Sequence, residues 1–212
     1  MIFRLDERIL FPDPALAEND GLLAIGGDLS MPRLLLAYQN GIFPWYSEDE
    51  PILWFSPHER FVLYPEELQV SKSMRRVLNS GRFRVTVNAC FEDVISACSK
   101  APRQGQDGTW ITADMQAAYI NLNKKEHAHS IEVWEQDVLV GGLYGVQVGK
   151  VFCGESMFSK VSNASKVALI NLCSSDAFDL IDCQVYTPHL ESMGARMISR
   201  EEYIAMLKKS PV

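Results

Sequence analysis

An α+β fold with a mixed, mostly antiparallel sheet is what this 212-residue sequence predicts, and three observations carry the prediction. Three consecutive strand-like runs are joined by two-residue turns, which is the pattern of an antiparallel meander. Helix-period segments flank that meander on both sides, and a buried strand follows the later helix, so that helices and a mixed sheet share one core. Hydrophobic residues make up 47% and charged residues 22%, a balance that builds a sizeable core without disordered or collagen-like bias.

The elements follow in order. The first sixty residues are turn-rich, punctuated by Pro12, Pro14, Gly21, Gly26, Gly27, Pro44, Pro51 and Pro57. Within them Ser30 is placed to cap a helix over 31–40, with Pro32 in its first turn and Gly41 ending it. Two aromatic runs follow, Gly41-Ile42-Phe43-Pro44-Trp45-Tyr46 and Ile52-Leu53-Trp54-Phe55, dense enough for a core or for the lining of a ligand groove. Strand pattern and composition change near residues 60 to 65, which divides the chain into a small N-terminal domain, 1–62, and a larger domain, 63–212.

In the larger domain Ser71 caps a short helix to Ser80 that Gly81 ends, and 83–87 alternates as a strand. A helix over 91–99 precedes a loop at 101–109 containing Pro102, Gly105 and Gly108, and Thr112 caps a helix to Lys125. The meander strands run 130–135, 138–147 and 151–158, turning at Gln136-Asp137 and Gly149-Lys150. A helix over 163–177, a buried strand over 180–185 and a capping box at Ser199-Arg200-Glu201-Glu202 complete the chain.

Several classes are excluded or disfavoured. No apolar run approaches the roughly 20 residues that cross a bilayer, and the N-terminus is charged where a secretory signal is apolar, so a cytoplasmic location is expected and no membrane partner. Cys90, Cys98, Cys153, Cys173 and Cys183 form no C-x-x-C pair and mostly sit among apolar residues, which points to reduced thiols and argues against a zinc site. A net charge of -7 argues against general nucleic-acid binding. Yet residues 68–91 contain no Asp or Glu and hold Lys72, Arg75, Arg76, Arg82 and Arg84, either a solvated basic face or a surface that contacts phosphates.

Two interruptions of apolar strands are candidates for chemistry. Simple alternation puts Val151, Cys153, Glu155 and Met157 on one side of their strand, so Glu155 breaks an apolar face and must be paired, hydrogen-bonded or raised in pKa. In Leu180-Ile181-Asp182-Cys183-Gln184-Val185, Asp182 and Gln184 are two apart and point the same way. Two such polar groups cost several kcal/mol unless the protein or a substrate meets them. The chain has no G-x-S-x-G, P-loop, G-x-G-x-x-G or Cys-His nucleophile signature, which weakens covalent and nucleotide-hydrolysing mechanisms. Gly141-Gly142-Leu143-Tyr144-Gly145 lies within a strand, where glycine serves close backbone approach or a bulge.

Seven strings in chain order resemble one family: 21–29 (Gly-Leu-Leu-Ala-Ile-Gly-Gly-Asp-Leu), 41–45 (Gly-Ile-Phe-Pro-Trp), 108–112 (Gly-Thr-Trp-Ile-Thr), 127–134 (His-Ala-His-Ser-Ile-Glu-Val-Trp), 153–159 (Cys-Gly-Glu-Ser-Met-Phe-Ser), 163–166 (Asn-Ala-Ser-Lys) and 180–184 (Leu-Ile-Asp-Cys-Gln). Together they resemble the leucyl/phenylalanyl-tRNA–protein transferases over about residues 1–207. The resemblance implies a GNAT-like acyltransferase domain behind the small N-terminal one. It also implies transfer of leucine or phenylalanine from aminoacyl-tRNA to the α-amine of proteins beginning with Arg or Lys, which marks them for the N-end rule pathway. Other acceptor residues occur among relatives. No cofactor, neither metal nor CoA, is implied, and a monomer is expected; the chain also lacks the Q/R-x-x-G-x-G/A loop that holds a CoA pyrophosphate.

The same resemblance implies roles for particular residues. Asp182 and Gln184 are the catalytic pair, in which a literal relay through the neutral amide is chemically weak. Gln184 is better cast as orienting the amine, with Asp182 or solvent taking the proton. Glu155 and Met157, with Leu143, Leu172 and Ile181, surround the transferred side chain, and Glu155 either holds the α-ammonium of the amino acid or caps a nearby donor. Trp45, Trp110, Tyr38 and Tyr119 are aromatic positions around the 3′-terminal adenosine and substrate, where stacking on an unpaired base is useful. Lys72, Arg75, Arg76, Arg82 and Arg84 match acceptor-stem contacts. Two other classes stay open, a CoA-dependent N-acetyltransferase and a non-catalytic RNA-binding module.

Overall fold

The computed structural model describes residues 2–102 and 109–209, so residues 103–108 of the expected loop at 101–109 lie outside the described residues. Near the N-terminus four short strands form one sheet in the order β1-β2-β4-β3: β1 (Phe3–Leu5), β2 (Leu22–Gly26), β3 (Phe43–Pro44) and β4 (Leu53–Phe55). Only β1 and β2 run parallel. The sheet is anchored by Trp54, which is fully buried and donates its indole N–H to Gly26 O at 2.9 Å. Helix α1 (Met31–Gln39) starts after Ser30 as the sequence predicts, although the Ser30 hydroxyl makes no cap bond and Pro32 sets the first turn.

The second sheet has seven strands in the order β11-β5-β10-β9-β8-β7-β6. These are β5 (Glu59–Leu63), β6 (Phe83–Val87), β7 (Ala128–Glu135), β8 (Val138–Val148), β9 (Val151–Ser159), β10 (Leu180–Gln184) and β11 (Arg196–Ser199). All neighbours are antiparallel except β9 and β10, which gives the mixed, mostly antiparallel sheet that the element order predicts. The expected domain boundary after residue 62 cuts β5, since sheet membership changes between Phe55 and Glu59. One apolar cluster spans the change, with Leu34, Ala37 and Tyr38 of α1 packed together with Tyr119, Tyr144 and Val146.

The helices are α2 (Lys72–Asn79), α3 (Phe91–Ser99), α4 (Ala113–Lys124), α5 (Ala164–Cys173), α6 (Pro188–Glu191) and α7 (Arg200–Lys209). Ser71 and Thr112 accept from the backbone N–H three residues on, as caps do. Ser199 caps α7 in the same way, accepting from Glu202 N. Helix α5 ends four residues before the expected Ala177, because the Ser174 and Ser175 hydroxyls take the carbonyls of Ile170 and Leu172 and Asp176 turns to φ 54°. Helix α5 lies directly on β8 at Gly141, where a Cβ would stand 2.5 Å from the Ala164 Cβ.

Two bulges correct the alternation expected for the chemistry-bearing strands. Between β8 and β9 the register pairs Tyr144 with Ser156 but Gly145 with Gly154, so Glu155 is an inserted residue. Faces swap across it: Val151, Cys153 and Phe158 join one apolar cluster, whereas Phe152 and Met157 join the other. Met157 therefore does not share a side with Val151 and Cys153. In β10 the insertion is Cys183, between Asp182 paired with Val62 and Gln184 paired with Phe61. Gln184 adopts φ 62°, and the strand stops there rather than at Val185.

Candidate active site

The two bulges face one cavity of about 430 Å³ at the parallel β9–β10 junction. Leu143, Phe152, Met157, Leu169, Leu172 and Ile181 give it apolar walls, and Glu155, Asp182, Gln184 and His189 line it as well. Trp45 and Trp110 also border it, Trp45 at 38% exposure. Nine of the residues expected around the reaction thus meet in one place, drawn from β8, β9, β10, α5 and two loops. Tyr38 and Tyr119 do not. They are buried at 1% and 0% exposure beneath Glu155, and their hydroxyls bond each other, so neither ring is open to stack on a base.

Asp182 is held entirely by the protein. Oδ1 accepts from Arg60 Nε at 2.9 Å and from the Gln184 backbone N–H at 2.8 Å. Oδ2 accepts from Arg60 Nη2 at 2.7 Å and from the Tyr203 hydroxyl at 2.8 Å. A carboxylate offers about four lone-pair sites, and all four are taken. This corrects the expectation that Asp182 accepts a proton. It also changes its link to Gln184, which runs through the backbone N–H and not the side-chain amide. Asp182 fixes the left-handed turn that presents Gln184.

Arg60 is the residue that sequence reasoning missed. It is 2% exposed, lies between the rings of Phe43 and Tyr203 at 4.6 and 4.7 Å, and also donates to Gly41 O. Burial disfavours its cation, but Asp182 and then Tyr203 outweigh that effect and raise its pKa. The signal in the sequence is weak: Arg60 follows Glu59 at the head of the apolar run Phe61-Val62-Leu63, where a charge reads as a solvated strand end, and only its burial shows that it needs the Asp182 partner.

Glu155 is 7% exposed. Its Oε1 accepts from the Tyr38 hydroxyl at 2.7 Å and from Gln184 Nε2 at 2.8 Å, while Oε2 has no hydrogen-bond partner among the described residues. Burial pushes its pKa up to about 7, against the Tyr38 and Tyr119 hydroxyls and the Gln184 amide, with the Asp182 charge adding to the rise. Gln184 donates one amide hydrogen to Glu155 and so holds a fixed orientation. His189 of α6 is kept towards its neutral form by burial and by Lys166. Cys153 and Cys183 are both pushed up by burial, which leaves them as thiols and removes them as nucleophiles.

The basic window divides in the fold. Lys72, Arg75 and Arg76 stand exposed on α2 with no carboxylate partner among the described residues, and Arg75 borders a second cavity with Ser71, Lys166 and Ser192. Helix α5 lines both cavities, with Ile170 on the second and Leu169 and Leu172 on the first. Arg82 is different: Glu135, on the neighbouring β7, takes it in a two-pronged pair at 2.6 and 3.2 Å. Arg84 lies over the Trp134 ring at 5.1 Å. The acid-free window in sequence is therefore not acid-free in space.

The family model described as leucyl/phenylalanyl-tRNA protein transferase matches residues 62–208, and the one described as that transferase's N-terminal domain matches residues 27–58. A leucyl/phenylalanyl-tRNA–protein transferase of Flavobacterium johnsoniae is 54% identical over 98% of this chain and 99% of its own length. One of Syntrophus aciditrophicus is 56% identical over 97% of this chain and 87% of its own. Among solved structures, a GCN5-related N-acetyltransferase from Kribbella flavida aligns with a TM-score of 0.39 at 8% identity, over 75% of this chain and 57% of that one.

Proposed function

The chain belongs to the leucyl/phenylalanyl-tRNA protein transferase family, and on that premise we propose that it moves leucine or phenylalanine from aminoacyl-tRNA to the α-amine of a protein beginning with Arg or Lys. An aminoacyl ester is already activated. The enzyme needs only to bring a neutral amine to the carbonyl, stabilise the oxyanion and let the ribose hydroxyl leave, without a covalent nucleophile. The observation that carries this reading is a pocket whose walls are mostly apolar side chains and whose polar lining includes the hydrogen-bonded Glu155–Gln184 pair, with the Cys183 thiol beside it pushed up by burial and so not activated.

In this reading Leu143, Met157, Leu172 and Ile181 receive the transferred side chain. Such a pocket separates side chains differing by one methylene by only about 1–3 kcal/mol, so rejection of β-branched residues depends on wall shape. Gln184 orients the attacking amine, Asp182 positions Gln184, and Trp45 and Trp110 flank the terminal adenosine. Lys72, Arg75 and Arg76 contact acceptor-stem phosphates, with Arg84 beyond them, and α5 connects that face to the pocket. The transfer marks its product for the N-end rule pathway in the cytoplasm, and the protein acts as a monomer in two parts that meet between Phe55 and Glu59.

The test supplies tRNA charged with labelled leucine and a peptide beginning with Arg. Label enters the peptide and is absent when the peptide amine is acetylated. A peptide beginning with Asp, run in parallel, decides acceptor choice. No label on any free-amine peptide refutes the proposal.

A further inference from the structure

We infer that Glu155 is the group that takes the proton from the attacking amine, an inference that rests on the transfer reaction proposed above. An amine that attacks an ester must shed a proton as the new bond forms, and the acceptor has to stand within hydrogen-bond reach of the nitrogen. The Asp182 oxygens are filled by Arg60, Tyr203 and the Gln184 N–H. The Gln184 amide is far too weak a base. Glu155 lines the same cavity, is bonded to Gln184 itself, and has one carboxylate oxygen, Oε2, that is buried and that the described protein leaves without a donor, so the carboxylate meets the amine by a turn of its own side chain. His189 also lines the cavity but makes no hydrogen bond to Glu155 or Gln184 among the described residues.

The groups around Glu155 fit this use. Tyr38 from α1 donates to Oε1, and Tyr119 from α4 bonds Tyr38 behind it. Gln184 and the Asp182 charge approach from β10, and the Cys153 thiol lies on β9 itself. The tyrosine hydroxyls and the amide favour the anion while burial and Asp182 oppose it, which leaves the carboxyl near pH 7, where it both takes and returns a proton. The bulge makes this possible. As an inserted residue Glu155 turns out of the ladder towards Tyr38 and Gln184, which a straight strand would not allow.

Every bond and proton is conserved in this step. The lone pair of the neutral amine forms the C–N bond to the ester carbonyl carbon, and the carbonyl π pair moves onto its oxygen. The amine proton passes to the Glu155 carboxylate. Collapse of the tetrahedral intermediate breaks the bond from carbon to the ribose oxygen, which leaves with the proton returned from Glu155. The products are an amide and a free ribose hydroxyl.

The experiment compares Glu155→Gln with the unaltered enzyme over pH 5.5–8.5, using Leu-tRNA and an Arg-initiated peptide. The amine's own titration cancels in the ratio of the two rates. That ratio rises about tenfold per pH unit up to about 7 and levels above it, at roughly a hundredfold or more. A flat ratio overturns the proposal, as does loss of the limb in His189→Gln instead. A donor carrying the α-hydroxy analogue of leucine separates the remaining role: an unchanged penalty supports proton transfer, whereas a vanished one means Glu155 holds the α-ammonium and overturns it. Should Glu155→Gln not fold, Tyr38→Phe serves. Loss of that donor moves the limb to higher pH, and an unmoved limb overturns the assignment. Absence of product from the unaltered enzyme would instead refute the transfer reaction itself.

Discussion

Replacing Arg60 by Met removes the cation from a carboxylate that has no access to water. Asp182 would keep only the Tyr203 hydroxyl and the Gln184 N–H, two of its four hydrogen bonds. Breaking one side of a buried ion pair costs about 3–5 kcal/mol, because the stranded charge stays desolvated. In a chain of this size ~1 kcal/mol corresponds to roughly 2–4 °C in Tm, so the single variant should melt roughly 6–20 °C lower. Asp182→Asn alone should be costly for the same reason, leaving a buried guanidinium short of its acceptor. The double variant removes both charges and should cost less than the sum of the singles by about 2 kcal/mol or more. Urea unfolding followed by tryptophan fluorescence on the four proteins gives that coupling energy. Transfer activity adds a second readout: Arg60→Met should lower kcat more than it raises either KM, since Asp182 places Gln184 and does not bind substrate in this reading. Single variants that each cost under about 1 kcal/mol and simply add would refute the argument.

Three further outcomes follow from the geometry. Alanine at Lys72, Arg75 or Arg76 should raise the KM for aminoacyl-tRNA and make the log–log salt slope shallower by up to about 0.9 for each phosphate no longer neutralised, whereas Arg82→Ala should change both less because Glu135 already neutralises it. Met157→Ala should widen the pocket wall and shift the ratio of kcat/KM for Phe-tRNA over Leu-tRNA towards the larger side chain, by about tenfold to two hundredfold. Glu155 has a folded-state pKa raised from 4.5 to about 7, so the folded state binds its proton more tightly than the unfolded chain. The stability this supplies is fully present below about pH 4.5 and lost as pH rises through about 7, on the order of 3 kcal/mol. Unfolding free energy measured against Glu155→Gln should decline across that window and run parallel above it; a constant difference across it would count against the buried carboxyl.

Local periodicity and capping chemistry were legible without coordinates. The strand over 83–87 and the helix over 91–99 match at both ends, and the meander, with its turns at Gln136 and Gly149, is within two residues throughout. These features arise from neighbours in the chain: a hydroxyl three residues from an N–H, or an alternation set by the pleat. Glu155, Asp182 and Gln184 were visible for a related reason, since a polar group in an apolar strand is a local cost that some distant partner must meet.

Which partner meets that cost was settled only in three dimensions. Glu135 came to Arg82 across a strand pairing that joins residues more than fifty positions apart, and Arg60 came to Asp182 across β5 and β10. The two insertions, at Glu155 and Cys183, depend on register between strands and not on either strand's composition, so simple alternation put Met157 on the wrong face. Sequence alone determined that this chain forms an α+β core around a few polar residues that apolar strands could not tolerate unmet. Tertiary structure decided which of them are satisfied by the protein and left Glu155 with an oxygen unpaired among the described residues, because hydrogen-bond partners are chosen by proximity across the sheet, and no spacing along the chain encodes that proximity.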